Sequence, residues 1–220
     1  MAGEKTKKPF SYYRRLPRSE QAVYRKSDQL GRIVVPDPSA LAAPIRILRA
    51  ALTDMPGTAA QRLLVKRAVE DILDRLCRGL SVPPVAVRVL ARRPSGSGGE
   101  LYALYTLPAG GRPYIDIWLQ TARRGEIVAF RTFFRTLVHE FCHHLDYHLL
   151  GLENSYHTRG FFQRESSLVQ QLLRASPPAE APPPPAPSAA PPPTAAQKPP
   201  PERKKMPRRP GGPRQLTFDF

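Results

Sequence analysis

The chain has 220 residues, and its 34 lysines and arginines against 18 aspartates and glutamates give a formal net charge of +16. Its length suits one ordinary domain with appendages, and its charge favours polyanionic partners, with nucleic acid first among them. The two cysteines are too few for a disulfide framework or a cysteine-based metal ribbon. No run approaches the roughly 18 apolar residues of a membrane span and no apolar segment follows the first charges, so we expect a cytoplasmic protein.

Residues 1–45 are predicted to form a basic N-terminal arm with aromatic side chains among the cations, as in Lys8-Pro-Phe-Ser-Tyr-Tyr-Arg-Arg15. This pattern suits base stacking with phosphate contacts, and it equally suits an arm that lies on its own domain. Pro36, Pro38 and Pro44 indicate a poor helix and a connector at the end of the arm.

A domain is predicted over residues 46–175. It begins with an amphipathic helix from about 58 to 80, in which apolar residues recur at helical spacing. Alternating apolar residues then predict three strands, near 85–89, 101–107 and 115–119. Their short, glycine-rich connections favour antiparallel neighbours. The expected fold is therefore α+β, with a short antiparallel or mixed three-stranded sheet packed on the first helix.

A long helix is predicted from Glu126 to Leu150, ending at Gly151. One face should pack on the sheet through an apolar stripe of Phe134, Val138, Phe141, Leu145 and Leu149. A second helix is predicted from His157 to Arg174, with Asn154 or Ser155 as its N-cap. Its buried face would comprise His157, Phe161, Leu168 and Leu172.

The long helix carries the motif His-Glu-x-x-His as His139, Glu140 and His143. Histidines four residues apart lie one above the other on a helix and can bind one Zn²⁺ ion. Glu140 lies beside them, where it can act as general base toward a metal-bound water. Asp146 shares the face of the two histidines.

The third ligand of a catalytic zinc site must come from another part of the chain. His157 is the preferred candidate, because it follows a loop of ordinary length and the next helix returns toward the first. Glu165 and Asp146 are alternatives, although Asp146 is better suited to accept a hydrogen bond behind the ligands.

Other polar residues near the motif have less direct interpretations. His144 and His148 point away from the ligand face and are expected to be surface or packing residues. Cys142 is expected to be a buried structural thiol. Tyr156 and Arg164 are candidates for stabilising an oxyanion because they lie near His157 in the sequence.

The segments His139-Glu-Phe-Cys-His143 and His157-Thr-Arg-Gly-Phe161 resemble those of the SprT-like (Spartan-like) minimal zincin metalloproteases, over about residues 50–175. The resemblance implies a two-helix zinc site beneath a short twisted sheet. It implies His139, His143 and His157 as ligands, Glu140 as catalytic acid and base, and cleavage of proteins bound or crosslinked to DNA. The chain departs from the family in the Thr-Arg-Gly after the third histidine and in having no cysteine-based zinc ribbon.

Residues 176–213 are rich in proline and alanine and then in basic residues, which predicts a disordered linker. The final segment, 214–220, resembles the short peptide by which bacterial replication and repair proteins bind the sliding clamp. Its candidate binding residues are Gln215, Leu216, Phe218 and Phe220. The alternative is a tail that folds back onto its own domain.

Together these patterns predict a monomeric, zinc-dependent metalloendopeptidase that cleaves proteins bound to DNA. Its basic ends would contact the DNA, which would associate the protein with the nucleoid. A competing hypothesis is a non-catalytic adaptor that binds zinc for structure and recruits partners through its C-terminal tail.

Overall fold

The computed structural model describes residues 9–53, 58–96 and 99–177. The predicted linker is described only as far as Pro177, and the C-terminal peptide, 214–220, lies outside the described residues. Within the described ranges, no helix is both long enough and apolar enough to cross a membrane.

The described residues form an α+β fold of five α-helices and a small mixed sheet. The helices are α1 (Arg18–Gln29), α2 (Ala42–Thr53), α3 (Ala59–Gly79), α4 (Phe130–His148) and α5 (Arg159–Ala175). The strands are β1 (Ala86–Arg92), β2 (Ser95–Gly96), β3 (Gly99–Glu100), β4 (Ala103–Thr106) and β5 (Tyr114–Gln120). Two short 3₁₀ helices, Ser11–Arg15 and Ser39–Leu41, precede α1 and α2.

The three-stranded sheet has the order β1-β5-β4, with β5 in the centre. β4 and β5 are antiparallel, with Tyr105 opposite Ile115, as their glycine-containing connection predicts. β1 is parallel to β5, with Val87 opposite the same Ile115, so the expectation of antiparallel neighbours is wrong for this pair. The reason is that β5 lies between β1 and β4, so the first and second predicted strands do not pair with each other and β1 pairs with the third. The small hairpin of β2 and β3 lies in the connection between β1 and β4.

Helices cover the sheet and share one apolar core with it. α3 packs against β1 and α2, while α4 packs against β4, β5 and α5. Four residues of the stripe predicted on α4 are buried, namely Phe134, Val138, Phe141 and Leu145. Leu149 is 39% exposed, contrary to the prediction, because α4 ends at His148 and the chain turns away from the core.

The helix boundaries differ from the predicted ones where tertiary contacts compete with the helical pattern. α3 agrees closely with the prediction and is capped by Thr58, whose side chain accepts the Gln61 N–H. α4 begins at Phe130 rather than Glu126. The intervening backbone pairs with the end of β5 instead, because Val128 N–H donates to the Leu119 carbonyl at 2.9 Å.

The described part of the N-terminal arm packs on the domain. Tyr13 and Tyr24 are buried, and α1 contacts α5. The expectation of a poor helix around Pro44 is wrong, because α2 begins at Ala42 and Pro44 lies in its first turn. Proline is tolerated there because the first N–H groups of a helix have no partner within it.

Candidate metal centre

Three histidine side chains converge at the junction of α4 and α5. His139 and His143 lie one turn apart on α4, and His157 lies in the loop before α5. The Nε2 atom of His157 is 3.0 Å from Nε2 of His139 and 3.2 Å from Nε2 of His143. One ligand atom from each residue lies within 4.8 Å of the others, so the set could hold one metal ion.

The other ring nitrogens of the α4 histidines have their own partners. Nδ1 of His139 is 3.0 Å from Oε2 of Glu165, and a carboxylate can only accept, so Nδ1 carries the proton. Nδ1 of His143 is 2.7 Å from Oγ of Ser155, whose hydroxyl donates to Oδ2 of Asp146 at 2.7 Å. Nδ1 of His143 is therefore also the protonated nitrogen.

This assignment leaves the Nε2 atoms of His139 and His143 unprotonated and directed at a common point. The Nε2 atom of His157 lies 3.0 and 3.2 Å from these two acceptors, and a neutral imidazole can donate its one proton to at most one of them. The spacing and the protonation pattern of these two rings, together with the approach of His157, therefore fit a bound metal ion.

Glu165 and Asp146, the alternative third ligands, lie behind the histidines. Glu165 accepts hydrogen bonds from His139 and from Arg135, whose Nε is 2.5 Å from its Oε1. Asp146 accepts from Ser155 and forms an ion pair with Arg164 at 2.8 Å. Glu165 therefore orients His139 directly, and Asp146 orients His143 through Ser155.

His157 occupies a position that differs from the predicted one. Neither Asn154 nor Ser155 caps α5; the N-cap is Thr158, whose Oγ1 accepts the Phe161 N–H at 3.0 Å. His157 therefore precedes the helix rather than beginning its buried face. Its position depends on loop contacts and not on helical geometry.

Phe161 forms the apolar wall of the site. It has 0% exposure, and its ring centroid lies 4.9, 4.8 and 5.0 Å from those of His139, His143 and His157. The sequence indicated that Phe161 is buried but did not indicate that it contacts all three rings. A rigid aromatic surface restricts the rotamers available to the three histidines.

Glu140 lies between the two α4 histidines in sequence and is buried beside β4. Its Oε2 accepts the backbone N–H of Tyr105 at 2.7 Å. Burial raises the pKa of Glu140, while the charge of His139 and the Tyr105 hydrogen bond act in the opposite direction. Tyr105 was not singled out by the sequence, because its contact with Glu140 is made by a backbone group.

The surroundings of His143 and His157 favour neutral imidazole, which is the state that binds a metal. Burial, followed by the charges of His139 and His157, lowers the pKa of His143 to about 3. Burial and the charge of His139 also lower the pKa of His157. Burial alone would raise the pKa of Glu165, but the His139 hydrogen bond and the Arg135 charge lower it overall.

His144 is a packing residue, as predicted. It has 0% exposure, its Nε2 lies 2.9 Å from the Pro83 carbonyl and its Nδ1 lies 3.2 Å from the Tyr105 hydroxyl. Burial lowers the pKa of His144 to about 4. Cys142 is buried and free, as predicted for a structural thiol, and burial raises its pKa well above the usual range.

The two oxyanion candidates have other roles. Arg164 has 0% exposure and is engaged with Asp146, so the expectation that it contacts a substrate is wrong. The Tyr156 hydroxyl donates to Oε2 of Glu20 at 2.7 Å.

The arrangement brings three imidazole nitrogens together beside a buried carboxylate. Such a set could hold one metal ion while Glu140 accepts or donates a proton nearby. Comparisons with protein-family models, with curated proteins and with solved structures found no match to this chain.

Proposed function

We propose that the protein is a zinc-dependent endopeptidase of the SprT-like minimal zincin type, which hydrolyses proteins bound to DNA. The observation that carries this proposal is the convergence of three Nε2 atoms, 3.0 and 3.2 Å apart, beside Glu140. Three protein ligands with an open fourth position are typical of catalytic zinc sites, whereas structural sites have four protein ligands.

The surroundings favour the catalytic hypothesis over the adaptor hypothesis. A structural site would need a fourth protein ligand, and Asp146 and Glu165 are the carboxylates nearest to that role. Each is held by an arginine, Asp146 by Arg164 and Glu165 by Arg135. Both are therefore occupied by partners that a metal ion would have to displace.

Zinc at this position would supply a Lewis acid and lower the pKa of a water molecule to about 7. Glu140 is the general base in the proposed reaction: its carboxylate takes a proton from the attacking water and returns it to the leaving amine. The Tyr105 N–H, 2.7 Å from Oε2, fixes the orientation of the carboxylate for both transfers. Phe161 and the buried face of α4 exclude bulk water from one side of the histidines.

The proposed contact with DNA is supported by the charge of the N-terminal arm. Arg14, Arg15, Arg18 and Arg32 are all exposed. Phosphate neutralisation by such side chains releases counterions, so affinity should fall steeply with salt.

The chemistry is tested with the variant Glu140→Gln, which keeps the shape of the side chain and removes its basicity. We expect wild-type zinc content, and cleavage of a DNA-bound protein slowed by about 100-fold or more. Zinc is measured by elemental analysis, and cleavage is followed by electrophoresis. Equal cleavage rates for the two proteins would contradict the assigned role of Glu140. A wild-type protein that binds zinc and cleaves nothing would favour the adaptor.

The DNA contact is tested by replacing Arg14, Arg15 and Arg18 together with glutamine. If each contacts one phosphate, the slope of log affinity against log salt should decrease in magnitude by about 3. Fluorescence anisotropy with a labelled duplex measures both slopes. A wild-type affinity that does not vary with salt would contradict DNA binding through these charges.

A further inference from the structure

We propose that the N-terminal segment, residues 10–30, supports the metal centre by positioning the loop that carries His157. The inference rests on the zinc site of the proposed function and adds a group of positioning residues to it. The segment comprises the 3₁₀ helix Ser11–Arg15, α1 and the residues that flank them. None of its side chains belongs to the set that could hold the metal.

Contacts at His157 and Thr158 join the segment to the end of the ligand loop. The Tyr12 hydroxyl donates to the backbone carbonyl of His157 itself, at 3.0 Å. Oγ of Ser27 lies 3.1 Å from Oγ1 of Thr158, and both side chains are buried. The contacts therefore hold the ligand and the residue that caps α5.

The next contact shows how closely α1 approaches α5. The Gly160 N–H donates to Oδ1 of Asp28 at 3.1 Å. A Cβ atom at Gly160 would lie 2.7 Å from the Asp28 carbonyl oxygen and closer still to that of Ser27. Because both obstacles are backbone atoms, any side chain at this position would push α1 away from α5.

A second route leads from α1 to His143. Nη1 of Arg164 donates to the carbonyl of Ser27 at 2.8 Å and also to that of Leu30. These carbonyls lie at the C-terminal end of α1, where the last carbonyl groups of a helix have few N–H donors within it and carry partial negative charge. The guanidinium therefore connects the end of α1 to the interior of the metal centre.

The second route continues through the buried ion pair. Nη2 of Arg164 donates to Oδ1 of Asp146 at 2.8 Å, and Oδ2 of Asp146 accepts from Ser155 at 2.7 Å. Ser155 in turn lies 2.7 Å from Nδ1 of His143. Displacing α1 would thus disturb two of the three histidines, His157 through its backbone and His143 through its hydrogen bond.

The need for this support follows from the position of His157. His139 and His143 are held by α4, whereas His157 lies in a loop and precedes the first residue of α5. Metal sites require their ligands within about 0.5 Å of the binding geometry. Loss of groups that orient ligands typically weakens metal affinity by 10- to 100-fold.

The first test removes one hydroxyl group. We expect Tyr12→Phe to weaken zinc affinity about tenfold, because the His157 carbonyl loses its donor. The matched control is Tyr13→Phe, since the Tyr13 hydroxyl is buried without a hydrogen-bond partner among the described residues. Zinc affinity is measured by competition with a chromogenic chelator, and the visible spectrum of the cobalt-substituted protein reports ligand geometry.

The second test displaces α1. We expect Gly160→Ala to weaken zinc affinity by 10- to 100-fold and to alter the cobalt spectrum. Gly79→Ala is the matched control, because its Cβ would make only an ordinary contact, 4.0 Å from Pro36. Urea unfolding of each metal-free protein separates lost stability from lost affinity. If Gly160→Ala does not fold, Tyr12→Phe still decides the question.

The outcomes distinguish the two proposals. A wild-type protein that binds zinc, with Tyr12→Phe and any folded Gly160→Ala binding within twofold of it, would overturn the positioning role alone. A wild-type protein that binds no zinc would overturn the proposed function and this inference with it. Weakened affinity in Tyr12→Phe but not in Tyr13→Phe supports the inference.

Discussion

The ion pair between Arg164 and Asp146 allows a quantitative prediction, because both side chains have 0% exposure and their atoms lie 2.8 Å apart. The perturbations are Arg164→Met and Asp146→Asn, separately and together. Arg164→Met leaves the buried Asp146 carboxylate with the neutral hydroxyl of Ser155 as its remaining side-chain partner among the described residues. Asp146→Asn leaves Arg164 with the carbonyls of Ser27 and Leu30 and with the Ser27 hydroxyl.

The two single substitutions should therefore have unequal costs. An uncompensated buried charge costs about 3–5 kcal/mol, which we expect for Arg164→Met. Asp146→Asn should cost about 1–3 kcal/mol, because the guanidinium keeps three acceptors. In the double variant the uncompensated carboxylate is gone, so its cost should fall below the sum of the single costs by about 2 kcal/mol.

The free energy of unfolding is measured by urea titration of the metal-free proteins in excess chelator, which removes any contribution from bound metal. If the stability of the domain lies at the lower end of the usual range, about 5 kcal/mol, Arg164→Met should be up to half unfolded without urea, and the double variant should then regain structure. Additive costs within about 0.5 kcal/mol would refute the reasoning. So would a larger cost for Asp146→Asn than for Arg164→Met.

Two further predictions concern the groups that orient the ligands. Glu165→Gln removes the charge beside Nδ1 of His139 and should weaken zinc affinity about tenfold in a chelator competition assay. The control is Glu70→Gln, at an exposed pair with Lys66, which should not change zinc affinity. Equal effects of the two substitutions on zinc affinity would contradict the prediction. Thr158→Ala and Thr58→Ala each remove an N-cap and should each cost about 1 kcal/mol in urea unfolding. Of these two variants, only Thr158→Ala should also weaken zinc affinity. An equal loss of zinc affinity in both variants would contradict the link between the cap and the loop.

The part of the site that could be predicted from the sequence lies on a single helix, α4. The spacing of His139 and His143 and the apolar stripe beside them depend on helical geometry, so periodicity alone indicated which side chains face the metal centre and which face the core. The start of α5 was less predictable, because Asn154, Ser155 and Thr158 are all residues that cap helices well. The contact of Thr158 with Ser27, which local sequence cannot reveal, favours the last of them.

The N-terminal segment was not predictable as a part of the site. Its contacts join residues far apart in sequence, such as Ser27 with Arg164 and Tyr12 with His157. The sequence of α1 is mostly polar, and only Tyr24 and Ser27 are buried within it, so no apolar stripe marks its packing face. The parallel pairing of β1 with β5 was not predicted for the same reason. Strand order depends on contacts between residues far apart in sequence.

The two cysteines can report how the domain opens, because they are natural sites for thiol labelling. Cys142 lies on α4 between His139 and His143, Cys77 lies on α3, and both are buried and free. Burial raises the pKa of each thiol, so the reactive thiolate is scarce in the native state. A thiol reagent can therefore label either sulfur only when its own helix separates from the core. The labelling rates of the two sites give separate opening free energies for the two halves of the core, without any introduced probe.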